Sequence, residues 1–131
     1  MNTLNNAGKN ILIIDDDPDY GEEIKAILEY AHYNAEVAYD ADEGFEALEK
    51  GIFDLLILDM MIKHSPEGMR IARRIKEDSR LRHLPIIITT GMAAKAIHSY
   101  PEAIFADAVM EKPLEIDVLL KKVDDLLNSS L

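Results

Sequence analysis

Residues 11–20 read ILIIDDDPDY, four apolar residues running straight into three aspartates. An unbroken apolar run of that length, with no polar alternation, suits a strand buried on both faces of a parallel sheet. The aspartates mark the point where such a strand reaches the rim and meets water. Asp17 then reads as a helix N-cap and Pro18 as the first helical residue. Ile24, Ile27, Leu28 and Ala31 follow at helical spacing, so the helix is amphipathic.

The same alternation continues outward from this stretch. Further apolar runs stand at 55–58 (LLIL), 86–89 (IIIT) and 108–110 (AVM), and AEVAY at 35–39 reads as another strand. Between them, Ala41, Phe45 and Leu48 mark a second helix stopped by Gly51. Ser65 and Pro66 are placed to start a third, buried through Ile71, Ala72 and Ile75. Ala93, Ala96, Ile97 and Tyr100 mark a fourth, which Pro101 should end or kink. Ile116, Leu119, Leu120, Val123 and Leu127 give the last a continuous apolar stripe. Strand and helix alternate five times, which predicts an α/β fold: a doubly wound, five-stranded parallel sheet with helices on both faces.

Composition narrows the function. At 131 residues, with 48% hydrophobic and 30% charged residues, the chain reads as one folded domain. It has no cysteine, which removes disulfides, thiolate metal sites and cysteine nucleophiles. The N-terminal stretch lacks the pattern of a signal peptide and no apolar run approaches a membrane span, so the expected location is the cytoplasm, without membrane insertion. A net charge of -11 argues against direct nucleic-acid binding. The basic stretch Arg70, Arg73, Arg74, Lys76, Arg80 and Arg82 is read as a solvated helix face, with a docking stripe for a partner as the alternative. His32, His64, His83 and His98 share no ligand spacing and are read as surface residues.

In sheets of this kind ligands bind beyond the carboxyl ends of the strands. The first strand runs into Asp15 and Asp16, the third into Asp59, the fourth into Thr90, and the fifth is followed by Lys112. Two carboxylates 4 Å apart repel by roughly 1–4 kcal/mol, depending on the effective dielectric. Lys112 offsets one charge, and a hard divalent cation such as Mg²⁺, bound through carboxylate oxygens, accounts for the rest. A carboxylate beside such a cation can act as nucleophile toward a phosphoryl group, with Lys112 and the Thr90 hydroxyl supplying charge and positioning. Asp59, alone at the end of the central strand, takes the nucleophile's part. Asp17 is read as a cap and not a ligand, and Gly91 after Thr90 favours Thr90 over Thr89 as the exposed hydroxyl.

The motifs ILIIDDDP, LLILDMM, PIIITTG and MEKP, in that order and at those intervals, resemble the receiver domain of two-component response regulators, of the single-domain chemotaxis-regulator kind. The resemblance implies a flavodoxin-like fold with strand order 2-1-3-4-5, a receiver over residues 10–129 and a flexible segment over 1–9. It implies Asp59 as phosphoacceptor, Thr90 as switch hydroxyl, Lys112 as phosphoryl-binding cation, and a cis Lys112–Pro113 bond. It implies a Mg²⁺ shell of Asp16, Asp59 and the backbone carbonyl of Met61, with Asp15 acting mainly through water. The implied partners are a sensor histidine kinase or histidine phosphotransfer protein and a downstream protein target. Such a chain is no enzyme beyond catalysing its own phosphorylation and dephosphorylation.

Several residues depart from the family pattern. Val109 stands where an aromatic residue usually reports phosphorylation, Lys63 where a proline is common, and Phe105 where a glycine usually precedes the fifth strand. Gly68 comes one position late. Two rival readings remain: a degenerate receiver acting as an unphosphorylated interaction module, and a small phosphatase of the haloacid dehalogenase type built on Asp15 and Asp17. The stretch after the last helix is too short for an output domain, which leaves action by binding alone or origin in a longer regulator.

The resemblance sets Met61 and Met92 beside the phosphoryl site, and neither side chain orients an attacking water by a strong hydrogen bond. Self-dephosphorylation is therefore predicted to be slow. Loss of labelled phosphate from the isolated protein with a half-life of seconds would contradict this.

Overall fold

Each apolar run becomes a strand, and a helix returns the chain after each. The computed structural model describes residues 8–128. In it β1 (Asn10–Ile14) leads to α1 (Pro18–Tyr30), β2 (Asn34–Ala38) to α2 (Ala41–Lys50) and β3 (Leu55–Asp59) to α3 (Glu67–Glu77). Then β4 (Ile86–Thr90) leads to a one-turn α4 (Ala94–Ile97), a 3-10 turn (Pro101–Phe105), β5 (Ala108–Glu111) and α5 (Ile116–Asn128). Of the N-terminal segment expected over 1–9, only Gly8 and Lys9 fall among the described residues; residue 129, the expected end of the domain, lies outside them. No helix among the described residues is long and apolar enough to cross a membrane.

All strand pairs are parallel, in the order β2-β1-β3-β4-β5. This is the flavodoxin-like topology, and its order reverses between β1 and β3. Alternate residues of the apolar runs face opposite sides, which is why the runs show no polar alternation. Ile11, Ile13, Leu55, Ile57 and Ile87 pack against Ile24 and Leu28 of α1 and Leu119 and Val123 of α5. Leu12, Ile14, Leu56, Leu58, Ile86 and Ile88 pack on the other face against Leu48 of α2 and Ile71, Ala72 and Ile75 of α3.

Helix boundaries follow local chemistry. Asp17 caps α1, its Oδ1 accepting the N–H groups of Asp19 at 3.1 Å and Tyr20 at 3.3 Å, and Gly51 ends α2. Ser65 does not cap α3. That helix begins at Glu67 after Pro66 with no side-chain cap; Pro66 holds the N-cap position, and the Ser65 hydroxyl is turned back toward the Ile62 carbonyl at 3.5 Å. The fourth apolar pattern yields only one helical turn, since Pro101 pushes Tyr100 into extended backbone (φ -92°, ψ 125°). Ile116, assigned to the buried stripe of α5, remains 53% exposed; burial begins at Leu119.

The basic stretch along α3 and the turn after it is mostly partnered. Arg70 pairs with Glu67, Arg73 with Glu77 and Arg80 with Asp78, and Arg74 lies 3.9 Å over the Phe45 ring. Lys76 Nζ donates to the carbonyls of Arg82 and Leu84 and to Asp107.

Helix α1 ends with two reverse bonds, His32 N–H to the Glu29 carbonyl at 2.9 Å and Tyr33 N–H to the Leu28 carbonyl at 3.0 Å. That closure puts exposed His32 in the left-handed region, at φ 75°, where glycine is the common occupant. His32→Gly is expected to raise unfolding free energy by about 1 kcal/mol, measured by thermal or urea unfolding; a lower midpoint would contradict this.

Candidate functional site

The register Ile14↔Leu58 between β1 and β3 sets Asp15 and Asp59 side by side one residue further along, at the order reversal. Both are buried, Asp15 to 1% exposure and Asp59 to 7%. Lys112 arrives from the end of β5, where its backbone N–H bonds the Thr90 carbonyl at 2.7 Å and a cis bond leads to Pro113. Its ammonium reaches Asp15 Oδ2 at 3.3 Å and Asp59 Oδ2 at 3.2 Å and sits 4.3 Å over the Tyr20 ring. Tyr20 is held in turn, its hydroxyl accepting the Leu114 N–H at 3.3 Å.

Backbone amides take the remaining carboxylate oxygens. Asp15 Oδ1 accepts the Asp17 N–H at 2.9 Å, and Asp59 Oδ1 accepts the Met61 N–H at 3.3 Å. Asp16, the most open of the three, accepts the Lys63 N–H on Oδ2 at 2.8 Å. Oxygens of Asp15, Asp16 and Asp59 lie within 4.8 Å of one another. Asp17 is committed to capping α1 and stays out of this group.

Three carboxylates face one ammonium, and the imbalance shows in the acidities. Burial, and then the charge of Asp15, push the Asp59 carboxyl up to about 6, against the opposing pull of Lys112. Burial draws the Lys112 ammonium down, but the fields and hydrogen bonds of Asp59 and Asp15 outweigh it and its pKa is raised. Three hard oxygen donors with surplus negative charge fit Mg²⁺ through Asp15, Asp16 and Asp59. The Met61 carbonyl, expected as a further ligand, belongs to the residue whose N–H bonds Asp59.

Thr90 is not the exposed hydroxyl that Gly91 suggested. β4 runs on through Thr90 and buries it completely. Its Oγ1 accepts the Met92 N–H at 3.0 Å and lies 3.6 Å from Met60 Sδ. Thr89 is the residue in register with Asp59, and its buried Oγ1 has no hydrogen-bond partner among the described residues. Met61 and Met92 are exposed, at 38% and 39%. His32, His64, His83 and His98 are all exposed.

Lys63 and the late Gly68 stand out in the sequence as departures from the family pattern, and the structure gives the geometry behind both. Gly68 packs where a Cβ would lie 2.0 Å from the Asp59 carbonyl oxygen, so its lack of a side chain lets α3 approach the central carboxylate. Lys63 and His64, with φ of 53° and 64°, form a left-handed two-residue turn between Ile62 and Ser65. For non-glycine residues that conformation costs roughly 1–2 kcal/mol each. The one-residue delay of Gly68 was the available signal for the altered loop.

A family model described as the response regulator receiver domain matches residues 11–124, and the chain belongs to that family, a module of two-component signalling. Among curated relatives, it is 29% identical over 113 residues to transcriptional regulatory protein DltR of Streptococcus agalactiae, covering 86% of this chain and 49% of that protein. To response regulator Rre1 of Synechocystis it is 30% identical over 121 residues, covering 90% and 51%. The chain thus spans about half the length of the relatives it matches.

Solved structures of similar shape include response regulator TrrA from Thermotoga maritima, in complex with Mg²⁺–BeF. The match has a TM-score of 0.80 and 28% identity, over 90% of this chain and 98% of that one. A receiver domain from Methanospirillum hungatei matches with a TM-score of 0.81 and 29% identity, over 92% and 94%.

The site's acidity makes it costly to stability. Between about pH 4 and 6 the folded protein holds on Asp59 a proton that the unfolded chain, with its carboxyl near 3.8, has released. The contribution of Asp59 to the stability of the metal-free protein therefore declines as pH rises through that window. Asp59→Asn is expected to flatten the decline and to raise stability at pH 7 by about 2 kcal/mol, read from urea midpoints at each pH; equal or lower stability at pH 7 would contradict this. Gly68→Ala is expected to cost about 3 kcal/mol or more, because the nearest obstacle is backbone; an unchanged midpoint would contradict the close approach.

Proposed function

We propose that this receiver accepts a phosphoryl group from the phosphohistidine of a sensor kinase or phosphotransfer protein onto Asp59, with Mg²⁺ bound. A carboxylate oxygen of Asp59 attacks phosphorus, the P–N bond breaks, and its electron pair returns to the imidazole nitrogen of the donor. The observation that carries this reading is the placement of Asp59 between Lys112, at 3.2 Å, and the carboxylates of Asp15 and Asp16.

Each residue has a definable part. The Lys112 ammonium, already beside Asp59 Oδ2, offsets charge on the transferred group's oxygens. Asp15 holds that ammonium from the other side, and with Asp16 and Asp59 would hold the Mg²⁺, aided by the Met61 carbonyl. Bound there, the cation supplies positive charge to phosphoryl oxygens. The Met61 N–H steadies the oxygen of Asp59 that Lys112 leaves free. Thr90, buried, accepts the Met92 N–H and turns its own O–H toward Met60 Sδ at 3.6 Å; it is that weak donated bond that would be exchanged for one to a phosphoryl oxygen, which fits a switch hydroxyl. The crystallisation of TrrA with Mg²⁺–BeF supports the reading, since beryllofluoride has the tetrahedral shape of a phosphoryl group.

Phosphorylation would then shift an existing balance of surface conformations, and a downstream protein would bind one of them better. This reading sets the chain in the cytoplasm, acting on no substrate but itself. The phosphatase alternative loses its second aspartate, because Asp17 is spent on capping α1.

Treatment with acetyl phosphate and Mg²⁺ is expected to add the mass of one phosphoryl group, seen by intact-mass spectrometry, with none added to Asp59→Asn or in the presence of a chelator. Modification of Asp59→Asn to the same extent would move the acceptor elsewhere. No modification of the wild type would favour the unphosphorylated interaction module, and turnover of a generic phosphate ester would revive the phosphatase.

A further inference from the structure

The loop between β3 and α3 is pinned at both ends. Met60 is fully buried, Ile62 is 2% exposed, and the Gly68 N–H bonds the Met60 carbonyl at 2.9 Å. Inside those anchors Ile62 and Ser65 exchange two backbone bonds, Ile62 N–H to the Ser65 carbonyl at 2.9 Å and Ser65 N–H to the Ile62 carbonyl at 3.2 Å. The two residues between them both have positive φ, the turn for which Asn-Gly is the preferred sequence. Here they are Lys63 and His64, so the chain accepts a strained conformation without the residues that relieve it.

What the turn delivers is one amide. The bonds between Ile62 and Ser65 leave the Lys63 N–H unused, and it is given to Asp16 Oδ2 at 2.8 Å, across 47 residues of sequence. Asp15 and Asp59 are already fixed by Lys112. Asp16 is not, and among the described residues this amide is the one hydrogen bond its carboxylate accepts. The Lys63 side chain plays no part in that contact; its ammonium is exposed and lies 4.0 Å from Asp40.

We propose that the left-handed Lys63–His64 turn is a positioning device that sets Asp16 in its Mg²⁺-ready orientation before the ion arrives. The inference rests on the receiver reading above and adds the means by which the third carboxylate is held. Mg²⁺ demands near-octahedral geometry and parts reluctantly with water, so a ligand with its rotamer already chosen binds it more tightly than a free one. A carboxylate accepting one N–H on Oδ2 keeps Oδ1 and further lone pairs for the ion. Lys63 is thus a positioning residue acting through its backbone.

Lys63→Gly and Lys63→Pro separate the amide from the side chain, since both lose the ammonium while only proline loses the N–H and the left-handed φ. By titration calorimetry, Lys63→Gly is expected to bind Mg²⁺ within threefold of wild type, and Lys63→Pro about tenfold more weakly than Lys63→Gly. Equal affinity of the two variants, beside a wild type that binds, would overturn this inference alone. A wild type that takes up no Mg²⁺ would overturn the receiver reading and this inference with it.

Should Lys63→Pro fail to fold, amide hydrogen exchange in the metal-free protein decides. The Lys63 amide is expected to be protected in wild type and to lose that protection in Asp16→Ala, while the Ser65 amide stays protected. Unchanged protection of Lys63 in Asp16→Ala would overturn the proposal.

Discussion

The contact on which the rest of the molecule depends is the fork made by one ammonium and two buried carboxylates, Lys112 against Asp15 and Asp59. Alone, Asp15 and Asp59 would repel each other in a poorly solvated place, and the raised pKa of Asp59 records how incompletely one cation relieves them. Asp16 adds a third charge on the open side. Folding therefore tolerates an imbalance that a stability-optimised protein would remove, and a bound divalent cation is the simplest partner that would balance it.

Everything that brings these groups together is backbone register. Parallel pairing aligns Ile14 with Leu58 and Thr90 with Glu111, so three strands far apart in sequence end in Asp15, Asp59 and Lys112 at one rim. The helices hold that register by burying both faces of the sheet. Gly68 lets α3 approach the Asp59 carbonyl, and the turn at Lys63 reaches back to Asp16 from the same loop. The packed core thus supplies a rigid frame, and the short loops on its edge supply the adjustable contacts.

The strands, their faces and the acidic rim were legible because unbroken apolar runs ending in charge admit few other readings. Asp17 and Gly51 were legible as helix boundaries for equally local reasons. What sequence left hidden was set by tertiary geometry. Ser65 looked like a cap, but its hydroxyl turns back to the Ile62 carbonyl and Pro66 takes the N-cap position. Thr90 looked exposed because glycine follows it, yet the strand continues through it and buries it. The left-handed backbone at His32, Lys63 and His64 carries no residue signature, since glycine or asparagine would normally announce it.

The central claim, that the crowded carboxylates form a cation site, is tested most directly by the unfolding midpoint of the wild-type protein as Mg²⁺ is raised at constant ionic strength and neutral pH. A site specific to the folded state predicts a midpoint that climbs with the logarithm of Mg²⁺ concentration, and a much smaller climb in Asp16→Ala. A midpoint that stays flat for wild type, or that rises equally in both proteins, would contradict it.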